Sequence, residues 1–467
     1  MVADQVRVCQ SQALARKVTR TDEPDIARVA DTASPQGCFR VPEVGRWWAG
    51  ELSWARSGML ERMDTTWETE RIRSQYPALK NGAAYLDGAG GTQVPVSVID
   101  AISEAHRSGL SNVHGPFASS RRSMKLIADA RAAVADLVGG EADGVVLGPN
   151  MTTLTYRMAA TLAKTWKPGD EIVVSELDHD ANVRPWVQAA ASAGVTVRWA
   201  RIDPQTTDLP AGQYAELVTS RTRLVAVAAA SNLIGTITDV AAISQIAHDS
   251  GALVYVDVVA AAPHFRLDMS SLGADLIALS SYKWCGPHAG AVVASSELLE
   301  TLRPDKLEPS SDEVPDRFEL GTHGLANMAG ISAAVDHLAD LVAGEGDRRQ
   351  RLDRSFAALA AREDVLVRSA ISRLIGIPGV RMVGAPTRRT GTICFTMGSI
   401  TPGEVAARLG EQDISVWSGH AYAWELTRVL GLRETGGGIR VSLAPYTAES
   451  DLDRLVATVA AMADDCG

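Results

Sequence analysis

A lysine and an aspartate end two apolar runs in this chain, and their placement says more about its chemistry than any other pair. Lys283 closes Ala274-Asp275-Leu276-Ile277-Ala278-Leu279-Ser280, with Ser281 and Tyr282 between. Asp257 follows directly on Ala252-Leu253-Val254-Tyr255-Val256. Beyond the lysine come a Gly/Pro-rich turn, Trp284-Cys285-Gly286-Pro287-His288-Ala289-Gly290, and a second apolar run, Ala291-Val292-Val293-Ala294. Short runs of this composition read as buried strands, and groups at two strand ends are placed to meet in one pocket. An amine and a carboxylate so placed are what pyridoxal phosphate requires. The amine bonds the cofactor's aldehyde, and the carboxylate keeps the pyridine nitrogen protonated so that the ring accepts electrons.

Three further features follow strand-like runs. Gly148-Pro149-Asn150-Met151-Thr152-Thr153 is a turn that opens a helix. Its free N–H groups and two hydroxyls suit a phosphate, and ordinary capping by Asn or Thr suits the same residues. Asp178-His179-Asp180-Ala181-Asn182 offers a histidine that lies flat on a cofactor ring or is simply a loop residue. No second histidine at helical spacing supports a metal site there. Asn232, after Ala228-Ala229-Ala230-Ser231, has an amide that reaches a ring oxygen or serves only its turn.

These residues need a scaffold that gathers strand ends, and the surrounding pattern supplies one. Val145–Leu147, Glu171–Val174, Val195–Trp199 and Leu224–Ala228 read as strands, and Thr152–Lys164, Arg184–Ala193 and Val240–Ser250 as helices. Alternation of helices with wholly apolar strands predicts an α/β fold whose mostly parallel sheet is covered on both faces. After about residue 330 the pattern becomes helical, over Ala329–Ala343 and Arg348–Leu374. Strands around Thr392–Phe395 and Gly438–Ser442 and a last helix, Ser450–Ala463, follow. The expected organisation is a disordered extension over 1–62, a segment over 63–84 packing on the small domain, a large domain over 85–330, and a smaller α+β domain over 331–467. Asp64, Thr65 or Thr66 is expected to cap the first helix.

Composition narrows the function classes. A formal net charge of −11 argues against a nucleic-acid partner and a basic membrane-binding face. No apolar run is long enough to span a bilayer. The five cysteines, Cys9, Cys38, Cys285, Cys394 and Cys466, lack CxxC spacing. That argues against a zinc site or a disulfide framework and suits a reducing cytoplasm.

Together the motifs resemble the class V aminotransferase family of pyridoxal-phosphate enzymes, in its cysteine desulfurase and selenocysteine lyase branch. The resemblance runs from about Tyr85 to the end, with its pieces in the family's order. Tyr85-Leu86-Asp87-Gly88-Ala89-Gly90-Gly91-Thr92 resembles the YLDNAATT-type opening, and Met151-Thr152-Thr153 the phosphate-binding GTT. Asp178–Asn182 resembles EHHAN, and Ser231–Gly235 the SNxxG segment. Asp257 and Ser280-Ser281-Tyr282-Lys283 resemble DxxQ and SxHK; Arg317–Thr322 resembles RFEAGT, and Arg440-Val441-Ser442 the terminal RxS. The wording of several segments is similar to a cysteine desulfurase-like subgroup. The resemblance implies the aspartate aminotransferase-like fold, fold type I, and a homodimer acting on a small amino acid. It implies that Lys283 bonds the cofactor, Asp257 pairs with the ring nitrogen, His179 stacks on the ring and Asn232 bonds near the phenolic oxygen. Thr152, Thr153 and Ser280 would bind phosphate, with Thr322 doing so from the neighbouring subunit, and Arg440 would clamp the substrate carboxylate.

The departures from that pattern bear on the reaction. Desulfurases of this branch carry a mobile cysteine in an RxGHHC-like loop. The corresponding stretch here is Val416-Trp417-Ser418-Gly419-His420-Ala421-Tyr422, with Trp417 at the arginine and Tyr422 at the cysteine, or Ala421 if shifted by one. Ala260 stands for the family glutamine, and Tyr282, at the cofactor, for the histidine before the lysine. His420 and Tyr422 are expected to face the substrate. Without that thiolate the usual persulfide route is closed. The expected reaction is β-elimination of a C–S bond. The alternatives are transamination or epimerisation at the same site, a desulfurase using a displaced Cys285, and a non-catalytic homologue.

Overall fold

The computed structural model describes residues 67–398 and 400–464. The extension read over 1–62 and the cap read at Asp64, Thr65 or Thr66 lie outside the described residues. The first described helix, Thr69–Ser74, begins behind Glu68.

Seven strands form the main sheet: β1 Val145–Gly148, β2 Glu171–Ser175, β3 Thr196–Ala200, β4 Thr222–Ala228, β5 Leu253–Asp257, β6 Leu276–Ser280 and β7 Gly290–Ala294. Their order is β1-β7-β6-β5-β4-β2-β3. The run from β6 to β3 is parallel, and β7 is antiparallel to both its neighbours. Successive side chains of a strand point to opposite faces, so alternate residues feed two cores. Leu224, Ala226 and Tyr255 enter one core, with Met158 and Trp186 from the helices Met151–Ala163 and Arg184–Ala193. Val225, Val227, Val254 and Val256 enter the other, with Ile243, Val134 and Val335 from Val240–Asp249, Ala118–Val138 and Leu325–Ala339. Covering both faces leaves little place for polar residues, which is why β1, β5, β6 and β7 read as apolar runs, while the edge strand β3 keeps Arg198 and is only partly buried.

A second, antiparallel sheet has the order Trp417–Gly419, Gly438–Ser442, Thr392–Met397, Val380–Met382. Its core joins Ile393, Phe395 and Val441 to Leu366 of the helix Arg348–Ile375 and Leu455 of the helix Glu449–Asp464. The start of the described chain is tied to these C-terminal elements. Ala84–Tyr85 pairs in parallel with Ile414–Ser415, and Arg73 donates to Asp451 at 2.8 Å and to the Tyr446 carbonyl at 2.7 Å. A bridge between Asp87 and Ser442 then carries Gly88–Gly90 to the main sheet's edge.

Candidate active site

A cavity of about 580 Å³ opens beyond the carboxyl ends of β4, β5 and β6. This is where open α/β sheets place ligands. Asp257 is the last residue of β5, and Lys283 closes a single turn, Ser281–Lys283, after β6. Asn232 follows β4 and His179 follows β2, so four neighbouring strands each contribute one expected group. Arg440 enters from the second sheet, 6% exposed, and its Nη1 donates to the Asn232 carbonyl at 3.0 Å. Thr152, Tyr282 and Tyr422 complete the expected residues that line the cavity.

Burial sets the charge states. Lys283 donates to the Ala89 carbonyl. Burial, then the Arg440 charge, lowers its amine to about 7 against the opposing pull of Asp257 and Asp87. Asp257 is 4% exposed, and burial pushes its carboxyl up to about 6. The Val259 N–H, donating to Oδ1 at 2.8 Å, and Lys283 restrain that rise. Burial, with Lys283, Arg440 and His420 nearby, lowers His179 to about 4, so its ring is neutral. Its Nδ1 accepts the Ala181 N–H at 3.0 Å, which puts the ring proton on Nε2. Tyr422 stacks beside that ring, centroids 5.4 Å apart and planes 25° apart. Tyr282 stacks on His288 with centroids 4.6 Å apart, and the Lys283 amine sits 4.9 Å from its ring.

Four expected residues do not line the cavity, each for a visible reason. Thr153 gives its N–H and hydroxyl to Asn150 Oδ1, at 2.9 and 3.1 Å, as part of a helix cap. Ser280 is fully buried and accepts the Met151 N–H at 3.0 Å. Thr322 is exposed, away from its own chain's cavity. His420 is also exposed and accepts the Tyr422 N–H at 2.9 Å. Asn232 does face the cavity, but its Nδ2 donates to the Ala421 carbonyl at 2.7 Å, leaving Oδ1 buried without a partner.

Other groups at the site carried no role in the sequence reading. Asp87 has a buried, unpartnered Oδ1, and burial raises its carboxyl while Arg440 and Lys283 oppose the rise. Asp178, behind His179, accepts from Ser175 and, at 2.7 Å, from Asn182. Burial pushes Asp178 up to about 7. His264 lines the cavity with Glu363 2.9 Å from its Nδ1. Both aspartates lay inside recognised motifs. Glu363 lies 99 residues from His264, and nothing local foretells the pair.

These residues fit pyridoxal phosphate. A buried amine near neutrality, a buried carboxylate on the adjacent strand, a flat neutral imidazole and an orphaned amide oxygen surround one cavity, and each answers a group on that molecule. A mostly parallel sheet with this lysine and aspartate at its carboxyl edge defines a pyridoxal-phosphate enzyme of fold type I.

Comparison with known proteins agrees. The model of the family aminotransferase class V matches residues 84–455. Uncharacterized protein MT3887 of Mycobacterium tuberculosis is 34% identical over 399 residues, 85% of this chain and 99% of that one. A cysteine desulfurase of Dickeya dadantii is 32% identical over 411 residues, 83% of this chain and 95% of the relative. The crystal structure of the Escherichia coli cysteine desulfurase CsdA superposes with a TM-score of 0.75 at 29% identity, covering 85% of this chain and 99% of that one. The chain belongs to aminotransferase class V, as a pyridoxal-phosphate enzyme of cysteine desulfurase type.

Proposed function

We propose that the chain eliminates a sulfur leaving group from the β carbon of a cysteine-derived amino acid. One observation carries this reading: no reactive thiol faces the cavity among the described residues. Tyr422 stands at the loop position expected of a cysteine. Cys285 is fully buried against the Tyr76 hydroxyl at 3.3 Å, and burial pushes its thiol up to about 11. Cys394 is likewise buried and pushed up to about 12. Thiols held protonated in this way are poor nucleophiles.

When bound, the cofactor takes into its ring the electron pair left by the broken α C–H bond. Lys283 is the amine that would hold it and the base that takes the α proton, since its neutral form is available near pH 7. Asp257 would keep the proton on the ring nitrogen, His179 would cover the ring face, and Asn232 would bond near the phenolic oxygen. Thr152 sits at the phosphate end, with Ser280 and Thr153 shaping that turn. Thr322 serves the neighbouring site of a homodimer. Arg440 receives the substrate carboxylate in its guanidinium fork. The Cβ–S bond then breaks with its pair leaving on sulfur, which takes up a proton. The released 2-aminoacrylate consumes one water and gives pyruvate and ammonia, so no oxidant or reductant is needed. Work in the cytoplasm is part of the same reading, supported by cysteines spaced without CxxC pairs.

The test is the cofactor-loaded enzyme with all five cysteines replaced by serine or alanine, assayed on S-substituted cysteines. Pyruvate and free thiol in equal amounts, with most of the wild-type rate, are expected. Wild-type enzyme given L-cysteine that yields alanine with a protein-bound persulfide, or loss of turnover in Cys285→Ala alone with a normal cofactor spectrum, overturns elimination in favour of desulfuration. An α proton lost or inverted with no sulfur released indicates transamination or epimerisation.

A further inference from the structure

We propose that the cavity selects a substrate whose sulfur carries a neutral apolar group, an aromatic one above all, rather than free cysteine. This rests on the elimination reading and narrows its substrate. Three aromatic side chains that line the cavity are unusually exposed: Tyr156 at 43%, Trp417 at 54% and Tyr422 at 65%. Large apolar rings left open around a cavity mark a place where a ligand covers them. Trp417 and Tyr422 stand where the resemblance expects an arginine and a cysteine. One loop has therefore exchanged a cation and a thiol for two rings.

The rings are held, not merely present. Ala421 and Tyr422 both adopt left-handed backbone conformations, with φ of 47° and 58°. Non-glycine residues resist that region, so surrounding contacts must enforce it. Asn232 Nδ2 holds the Ala421 carbonyl at 2.7 Å, and the Asp180 N–H holds that of Tyr422 at 2.8 Å. Tyr422 leans on the His179 ring. Trp417 pairs with Arg440 in the second sheet and lies against Gly90, where a Cβ would meet its indole nitrogen at 2.3 Å. The glycine there makes room for the indole.

Charge points the same way. Lys283 and Arg440 are committed to cofactor and carboxylate. The remaining cation lining the cavity, Arg184, is paired with Asp180 at 2.9 Å and Glu425 at 3.3 Å. An anionic substituent finds no free counter-ion among these residues, whereas an aromatic one finds rings to pack on.

The experiment compares L-cysteine, S-methyl-L-cysteine and S-benzyl-L-cysteine on the cofactor-loaded enzyme. Pyruvate formation gives kcat/KM, and quenching of tryptophan fluorescence gives affinity separately. We expect kcat/KM for the benzyl compound to exceed that for cysteine by about tenfold, the worth of one well-packed aromatic contact. In Trp417→Leu and in Tyr156→Ala, the benzyl-to-methyl ratio should fall by several-fold, a readout internal to each variant and unaffected by partial misfolding. Equal kcat/KM for cysteine and the benzyl compound, or an unchanged ratio in both variants, overturns the proposal while leaving elimination standing. If no compound yields pyruvate yet the benzyl compound still binds more tightly than the methyl one, elimination fails and the aromatic selection stands.

Discussion

Lys283 has a near-neutral amine because of where the fold puts it. An exposed lysine is protonated until about pH 10.4, whereas burial and Arg440 bring this one to about 7. The neutral amine is the reactive form, so in protein stripped of cofactor, labelling of Lys283 by an amine reagent should rise with pH through about 7 and level off above it. Arg440→Gln removes a charge that lowers the value, so the midpoint should move up towards the ordinary lysine range. A midpoint that stays put or falls contradicts this account. Asp257→Asn should slow α-proton exchange on the loaded enzyme far more than it weakens substrate binding, because the ring nitrogen's proton matters most as carbanion charge develops. Normal exchange with poor binding would remove Asp257 from that role. At this scale the sequence was legible where a polar group ends an apolar strand, as with Lys283 and Asp257. It was two-sided where a hydroxyl's type suits both a ligand and the chain itself: Thr153 caps through Asn150, and Ser280 accepts the Met151 N–H.

Elements were legible in proportion to their regularity. The helix Arg184–Ala193 has the bounds its pattern suggests, while that read over Ala329–Ala343 runs Leu325–Ala339 and the strand read over Val195–Trp199 runs Thr196–Ala200. Ends shift because the last turn depends on caps and neighbours more than on periodicity. The loop from His420 to Tyr422 was not legible at all. Alanine and tyrosine do not favour left-handed backbone, so only the contacts made after folding reveal it. Asn232 is the main side-chain anchor of that loop, and Asn232→Ala should release it. Hydrogen exchange at the Tyr422 and Ala423 amides should then quicken by about tenfold, the worth of one lost buried hydrogen bond. Protection equal to wild type would mean that the Asp180 and His420 contacts fix the loop without Asn232.

Among the described residues two sheets meet at one cavity: Lys283, Asp257, Asn232 and His179 come from the main sheet, and Arg440 from the second. No helix among the described residues is long and apolar enough to cross a membrane, and no cluster of His, Cys, Asp or Glu among them forms a metal site. The alternating βα pattern foretold the main sheet because its strands are buried on both faces; the departure of β7 from parallel pairing left no mark on its composition. Association is the property that one chain carries only as a surface. Val96, Ile99, Phe117 and Leu320 are apolar and between 43% and 58% exposed, and Thr322 is exposed beside the last of them. A homodimer would cover such residues and give Thr322 a phosphate to bind, so each site would draw Lys283 from one subunit and Thr322 from the other. Mixing tests this directly. Lys283→Ala and Thr322→Val chains, each nearly inactive alone, should regain activity when unfolded together and refolded. In a mixed dimer one site inherits both lesions and the other inherits neither. Random pairing makes half the dimers mixed, so recovery should approach about a quarter of the wild-type rate. If Thr322 served the cavity of its own chain, every site in the mixture would keep one lesion. Activity would then stay at the level of the separate variants, and the shared-site reading would fail.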